Sequence, residues 1–511
     1  MLAASSALWL GLIARGAGVT VITHGFDGNV TDWVIPMGDK IPQHHGFPGS
    51  NSASYQISIT KSGSAYATTQ TFLDGVSPLA SDSGEIVIAL DWSTLSGLFG
   101  PSTTLIATNL ALALLSTNLI PDLAGHPLAE MPLHLLGHSR GASVMAEVSR
   151  ILGAQGIWVD HLTSLDPYPL SINGDPAMVN YANVLFADTY WQNIGAPSGQ
   201  PLAGAYNRHL TNLSGGYPAG STHSDTHLWY HGTIDLTTPT GDNLAMITTN
   251  ERAAWWTSTE AAGTNAGFLY SLIGGGNRLS TLEPAGAGNG RIVDGFNQVW
   301  NLGAGLAANP ATNRTRLSLD NGAWPNLLRL NLTSPTNASV DDPIPLAFYH
   351  QYGANTSGVV NVSFCLDQDS NPYNGNDTVV FQAALPGTGI SNVYYSTLSL
   401  SLNPAVVLPG TYSVFGRISD GVRTRYLYAP QKLVLGPSRQ PPSLLSERIH
   451  ASQFQFTLLG FPGQTVIIQG STDLVQWVSI QTNTLTGTAG TFTDPDSPLL
   501  PQRYYRAVLG E

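Results

Sequence analysis

The sequence predicts an α/β protein with a mostly parallel sheet, continued by two all-β, sandwich-like modules. Three observations carry that expectation. Over residues 17 to about 235, short apolar strand patterns alternate with segments of helical periodicity, as parallel sheets covered by helices require. From about residue 325 the texture changes to short alternating runs separated by Gly, Pro and Asn, the pattern of a β-sandwich. A proline-rich piece, 436–442, then reads as a linker before a second, smaller β module.

Taken in order, Gly18–Thr23 and Ile86–Trp92 read as core strands, and Thr103–Ile120 reads as a core helix. Leu133–Leu136 reads as a strand, Arg140–Leu152 as an amphipathic helix and His161–Leu165 as a further strand. Residues 236–300 keep mixed helical and loop character, including Glu251–Thr257. The runs Leu328–Leu332, Pro345–Tyr349, Val359–Leu366, Val379–Ala383, Thr411–Ile418 and Thr424–Leu427 read as sandwich strands. Gln453–Leu458, Thr465–Gly470, Leu474–Gln481, Thr491–Thr493 and Arg503–Val508 belong to the last module. The expected division is therefore 1–16 as a signal peptide in whole or part, 17–310 as the α/β domain, 325–437 as a β-sandwich and 445–511 as a small β module.

A chain of 511 residues exceeds one core, so several domains are expected. Its net charge of −13 argues against nucleic acid and anionic membrane surfaces as partners. The single cysteine, Cys365, forbids an intrachain disulfide and reads as a buried thiol. Leu2–Ala14 has the length and apolarity of an export signal but lacks the usual positive start. The run Leu105–Ile120 is interrupted by Thr and Asn, so no transmembrane span is expected in the mature chain. A secreted or cell-envelope location follows as the expectation.

The chemistry is concentrated at residues 133–152. An apolar strand runs into Gly137-His138-Ser139-Arg140-Gly141 and then into a helix, the pattern of a nucleophile elbow. Such a turn holds a serine Oγ exposed at the carboxyl end of a strand, and small residues on both sides let helix and strand approach. A serine is a weak nucleophile and needs a base and an orienting carboxylate, which in this arrangement follow it in the order acid, then histidine. Asp166, ending an apolar strand before Pro167, is the acid candidate. Thr222-His-Ser-Asp-Thr-His-Leu-Trp-Tyr-His offers His223 as the base, because it lies where a loop enters a helix, with His227 as second choice. The i, i+4, i+8 spacing of His223, His227 and His231 also raises a metal reading, but no carboxylate completes a zinc signature. Backbone donors for the developing oxyanion are expected from Phe26, after the strand-ending His24-Gly25, and from Arg140.

Together, THGF at 23–26, ALDW at 89–92, GHSRG at 137–141, LDP at 165–167 and the His-to-Trp-Tyr run at 223–230 resemble, in order, the α/β-hydrolase lipases similar to pancreatic lipase and its bacterial relatives. The resemblance covers the first half of the chain. It implies an α/β-hydrolase catalytic domain, Ser139 as nucleophile, Asp166 as acid, His223 as base and Phe26 in the oxyanion hole. It also implies a serine ester hydrolase, a lipase or carboxylesterase that works through an acyl-enzyme and requires no cofactor. The chain departs from the animal enzymes in lacking their disulfides and a cysteine-bounded lid. The segment between Asp166 and His223, with Phe186, Tyr190, Trp191, Tyr206 and Tyr217, is where a lid or cap could sit, its aromatics lining an acyl pocket or packing a cap.

Residues 328–437 resemble an immunoglobulin-like bacterial module, and 445–511 resemble a small β domain that ends secreted proteins of some environmental bacteria. Both imply attachment to a surface or polysaccharide. Asp367, Asp369 and Asn371 are spaced as weak candidates for a structural calcium, although Pro372 replaces the glycine of an EF-hand loop. The expected substrate is a small-molecule or lipid ester. Two rivals stand beside it: the same triad acting on a phospholipid, polyester or acylated polysaccharide, and an adhesion protein with an inactive hydrolase scaffold.

Overall fold

A computed structural model of the chain describes residues 17–44, 52–213, 215–217, 221–235, 248–255, 267–270, 314–315, 317, 324–333, 336–351, 359–385 and 394–510. The expected leader at 1–16 and most of 236–310 lie outside the described residues.

The first unit is built on one sheet of eight strands: β1 (Val19–Thr23), β2 (Ala53–Ser62), β3 (Ala65–Gly75), β4 (Ile86–Asp91), β5 (Leu133–His138), β6 (Val159–Leu165), β7 (Val184–Trp191) and β8 (Tyr206–His209). Their order is β3-β2-β4-β1-β5-β6-β7-β8. All neighbours are parallel except β2 and β3, which form an antiparallel hairpin. Gly63, at φ 64, turns that hairpin in a two-residue loop where a side chain would be strained. The central strands are apolar and buried on both faces, as β1 shows: Val19 and Val21 join one core and Ile22 the other.

Helices α1 (Val34–Gly38), α2 (Lys40–His44), α3 (Thr103–Leu115), α4 (Arg140–Ala154), α5 (Thr222–Ile234) and α6 (Thr249–Trp255) accompany the sheet. α3 and α4 cover the face that carries Val19 and Leu135, whereas α1 and α5 cover the face that carries Ile22 and Leu136. α3 stops at Leu115, short of the expected Ile120, because the backbone turns extended at Ser116.

The expected class is corrected. The described residues are mostly β, 43% strand against 18% helix. Two causes are visible. Residues 53–75, inside the stretch read as alternating strand and helix, form a hairpin, and the described residues after 325, expected as all-β modules, are strand and turn apart from a short turn of helix at Ser497–Leu499. The expected cap is corrected as well: Phe186, Tyr190, Trp191 and Tyr206 lie on β7 and β8, inside the main sheet.

The second unit has two sheets. Strands β9 (Asn326–Leu332), β11 (Ile344–Gln351) and β14 (Tyr394–Leu400) form one, in the order β14-β11-β9. Strands β10 (Asn337–Ser339), β12 (Val360–Asp367), β13 (Thr378–Leu385), β15 (Gly410–Ser419) and β16 (Thr424–Gly436) form the other, in the order β10-β16-β15-β12-β13. Leu346 and Phe348 from the first meet Val362, Phe364 and Val414 from the second in a shared core. The last unit pairs the sheets β17 (Ser443–His450), β18 (Gln453–Leu459), β21 (Ala489–Asp494) and β19 (Thr465–Ser471), β20 (Val478–Thr484), β22 (Tyr504–Leu509) around a small core containing Phe456, Ile468 and Phe492.

The sandwich is seated on the sheet at the amino ends of β4 and β6. Asn326 Nδ2 donates to Gly156 O at 2.7 Å, Arg425 Nη1 donates to Trp158 O at 3.1 Å, and Arg425 Nη2 pairs with Asp160 at 3.3 Å. Trp158 Nε1 donates to Gln351 Oε1. Cys365, a buried free thiol, packs with Trp324, Phe415 and Tyr428 into the same core as Ile157 and Leu133.

Candidate active site

Strand β1 lies between β4 and β5, so the chain's direction of travel across the sheet reverses beside it. Open parallel sheets bind ligands outside the carboxyl ends of their strands at such a switch point. Ser139 stands there, directly after β5, with φ 55 and ψ −123. That strained backbone is held by neighbours: Ser139 N donates to Leu165 O at 2.9 Å, and its carbonyl accepts from Tyr168 N at 3.2 Å.

The flanking glycines are required by close approach. A Cβ on Gly137 would lie 2.3 Å from Gly141 O, and one on Gly141 would lie 2.3 Å from His24 O. A Cβ on Gly25 would stand 2.6 Å from Ser139 Cβ and 3.1 Å from its Oγ. The peptide leading to Phe26 therefore runs beside Ser139. The amide of Arg140, first residue of α4, belongs to the turn whose N–H groups have no partner within the helix.

His223, in the first turn of α5, brings Nδ1 to 2.6 Å from Asp166 Oδ2 and lines the same cavity as Ser139. Asp166 is fully buried, and its carboxylate is also supplied by Gln192 N at 2.9 Å, Gly199 N at 2.8 Å and Gln192 Nε2 at 2.8 Å. A Cβ on Gly199 would fall 2.5 Å from Asp166 Oδ1, so that loop also closes on the acid. With Nδ1–H donating to the carboxylate, Nε2 is the nitrogen left to exchange a proton.

His227 does other work. Its ring stacks on Trp33 at 4.1 Å and meets the edge of His138 at 4.8 Å, and burial, then the neighbouring histidines, holds it well below the ordinary histidine pKa. His138 directs Nε2 to the main-chain oxygen of His223 at 2.9 Å and is likewise held neutral, first by burial. It therefore braces the first turn of the helix that carries His223.

The THGF, ALDW and GHSRG segments interlock. His24, fully buried, donates from Nδ1 to Gly25 O at 2.9 Å and stacks on Trp92 at 5.5 Å. Trp92 Nε1 donates to Thr23 Oγ1 at 3.0 Å, and the Arg140 guanidinium lies 5.2 Å from the Trp92 ring. Arg140 is itself buried, with Nε and Nη2 on the two oxygens of Asp175 at 2.7 and 2.9 Å and Nη1 on Ser96 O at 3.0 Å. The side chains of Arg140, Asp175 and Gln192 were not anticipated as part of this frame. Only a buried Asp or Gln downstream of an elbow could have signalled them, and burial is not readable locally.

The cavity over Ser139 measures about 360 Å³. Leu98, Tyr168 and Leu170 form an apolar part of its wall; Asn29, Asp32 and Trp33 form another part. Tyr217 lines it too, alone among the five aromatics expected between Asp166 and His223. Of its lining side chains Phe26 and Leu98 are exposed, and in the loops that supply Leu98 and Leu170, Phe99 is 98% exposed and Ile172 75%. Asn173 ties their two loops together by donating to Gly97 O and Gly100 O at 3.1 and 3.0 Å.

The calcium candidates are occupied with local bonds. Asp367 accepts from Asp369 N and from Tyr428, and Asp369 accepts from Asn371 N at 2.8 Å and from Asn374 Nδ2 at 2.7 Å. Asn371 turns its amide nitrogen to Pro78 O and Ser81 O at 2.5 and 2.6 Å, docking the sandwich on the sheet. Among the described residues no group of three or more His, Cys, Asp or Glu could hold a metal ion, and no helix is long and apolar enough to cross a membrane. No protein-family model matches the chain, and no curated protein matches it either.

Proposed function

We propose that the protein is a serine carboxylic ester hydrolase of lipase or esterase type. The observation that carries this reading is that Ser139 and His223 line one cavity while His223 is anchored through Nδ1 on the buried Asp166.

In this mechanism Ser139 Oγ attacks the ester carbonyl carbon as its proton passes to His223 Nε2. The tetrahedral oxyanion takes hydrogen bonds from the Phe26 and Arg140 amides, and Asp166 stabilises the imidazolium. The carbon–alkoxy bond then breaks, and His223 delivers its proton to the departing alcohol. Water attacks the acyl-serine with His223 as base; the acid leaves and the proton returns to Ser139. No step calls for a metal or a redox cofactor.

Exposed Phe26 and Leu98 on the cavity, with exposed Phe99 and Ile172 in the neighbouring stretches of its loops, support water-insoluble esters, lipid or polyester, over small soluble ones, because exposed apolar side chains at a site commonly mark a surface of contact. The test is hydrolysis of p-nitrophenyl esters from acetate to palmitate by wild type and Ser139→Ala. Turnover that rises with acyl length and vanishes in the variant supports the reading. A folded wild type that cleaves none of them, or a variant as active as wild type, removes it.

A further inference from the structure

The wall of the Ser139 cavity carries one formal charge. Apart from its histidines, every lining side chain but Asp32 is neutral. Asp32 Oδ2 accepts from Asn29 Nδ2 at 2.7 Å. Asn29 is oriented for this by its own oxygen, which accepts from Thr31 N at 2.9 Å, Thr31 Oγ1 at 2.8 Å and Asp32 N at 3.0 Å. The amide is thereby committed to one carboxylate oxygen. The other, Oδ1, has no hydrogen-bond partner among the described residues, and no cation pairs with Asp32 there. A turn that needed only stapling would be complete with Asn29 alone.

A carboxylate accepts hydrogen bonds and donates none, so an open one in a largely apolar cavity attracts a hydroxyl or an ammonium and repels a phosphate or a second carboxylate. The carboxylate and a separate apolar group of the wall come from different loops. Asn29 and Asp32 follow β1, as do Phe26 and Trp33, whereas Leu98 follows β4 and Tyr168 and Leu170 follow β6. An ester with an apolar acyl chain and a donor-bearing alcohol matches that division.

We propose that Asp32, held by Asn29, is a specificity-determining residue that selects esters whose alcohol half carries a hydroxyl or ammonium group and rejects those whose alcohol carries an anion. This rests on Ser139 hydrolysing esters, and it narrows the substrate class of that same site.

The experiment holds the acyl group constant as butyrate and varies the alcohol: n-propanol, glycerol, choline and glycolate. kcat/KM is measured for wild type, Asp32→Asn and Asp32→Ala, with circular dichroism and melting temperature as folding controls. The quantity read is each ester's kcat/KM relative to the propyl ester within the same protein. Losing a hydrogen bond to a charged acceptor should lower the glycerol or choline ratio about tenfold in both variants, while the glycolate ratio rises. A loss confined to choline assigns an ammonium; a loss that includes glycerol assigns a hydroxyl. Ratios within twofold of wild type in both folded variants overturn the role of Asp32. If wild type cleaves none of the four butyrates, the four alcohols are tested with the acyl group that the p-nitrophenyl series favours; if neither set nor that series is cleaved, or Ser139→Ala cleaves them equally well, the hydrolase reading itself has failed and takes this proposal with it.

Discussion

His223 Nδ1 lies 2.6 Å from Asp166 Oδ2, and that carboxylate has no exposure to solvent. The pair fixes which imidazole nitrogen faces the cavity, because a buried carboxylate accepts only. Asp166→Asn keeps the shape but can present an N–H to Nδ1, which favours the wrong tautomer. We expect kcat to fall about 10³-fold or more with the melting temperature nearly unchanged. Steady-state kinetics on a p-nitrophenyl ester checks it; an Asn variant within tenfold of wild type would contradict the assignment.

Gly25 tests the proposed oxyanion loop without replacing a residue of the proposed triad. A methyl there would meet Ser139 Cβ at 2.6 Å, so either the loop or the nucleophile must move. Gly25→Ala should lower kcat by about a hundredfold, the loss associated with one misplaced oxyanion donor. KM should change far less, since the rest of the cavity is untouched.

The Arg140–Asp175 pair predicts a stability effect. Both side chains are fully buried, so removing one leaves a charge without its partner. Arg140→Ala should destabilise the protein by about 3 kcal/mol or more, measured by urea unfolding. Arg140→Lys should recover only part of this, because an ammonium cannot make the two-pronged contact. A double variant, Arg140→Ala with Asp175→Ala, should be less damaged than the sum of the single changes.

His231 sets an acid limit. It is fully buried with neither ring nitrogen hydrogen-bonded among the described residues, and burial pushes its pKa down to about 4. The unfolded chain takes up this proton near pH 6.5, whereas the folded protein resists it until about pH 4. Its contribution is present above pH 6.5 and is lost as pH falls through that window. His227 and His138, also held low by burial, act in the same direction. His231→Leu should flatten the fall in melting temperature between pH 6.5 and 4; an unchanged slope would refute the assignment.

What could be read from sequence was what acts locally. The elbow declares itself because its small residues and serine sit within five positions, and Asp166 because a strand ends on it. Choosing between His223 and His227 was harder, since both line the cavity from one helix and only the first-turn residue reaches Asp166. Gln192 and Asp175 could not be found, because their roles depend on loops meeting across 26 and 35 residues. The hairpin at 53–75 was missed for a related reason. Its outer strand is an edge with many exposed polar residues, so it lacks the buried apolar run that marks the inner strands.

The seat of the sandwich on the amino ends of β4 and β6 bears on how such a protein can be rearranged in evolution. The change of texture near residue 325 looks like a natural place to exchange one appended module for another. A crossover there would cut through a core shared by Ile157, Trp324 and Tyr428 and leave Asp160 without Arg425. A foreign module joined at that point would lack the complementary surface. The smallest piece that recombination can move intact therefore includes the sandwich with the sheet, and the sandwich lies on the edge opposite the cavity over Ser139.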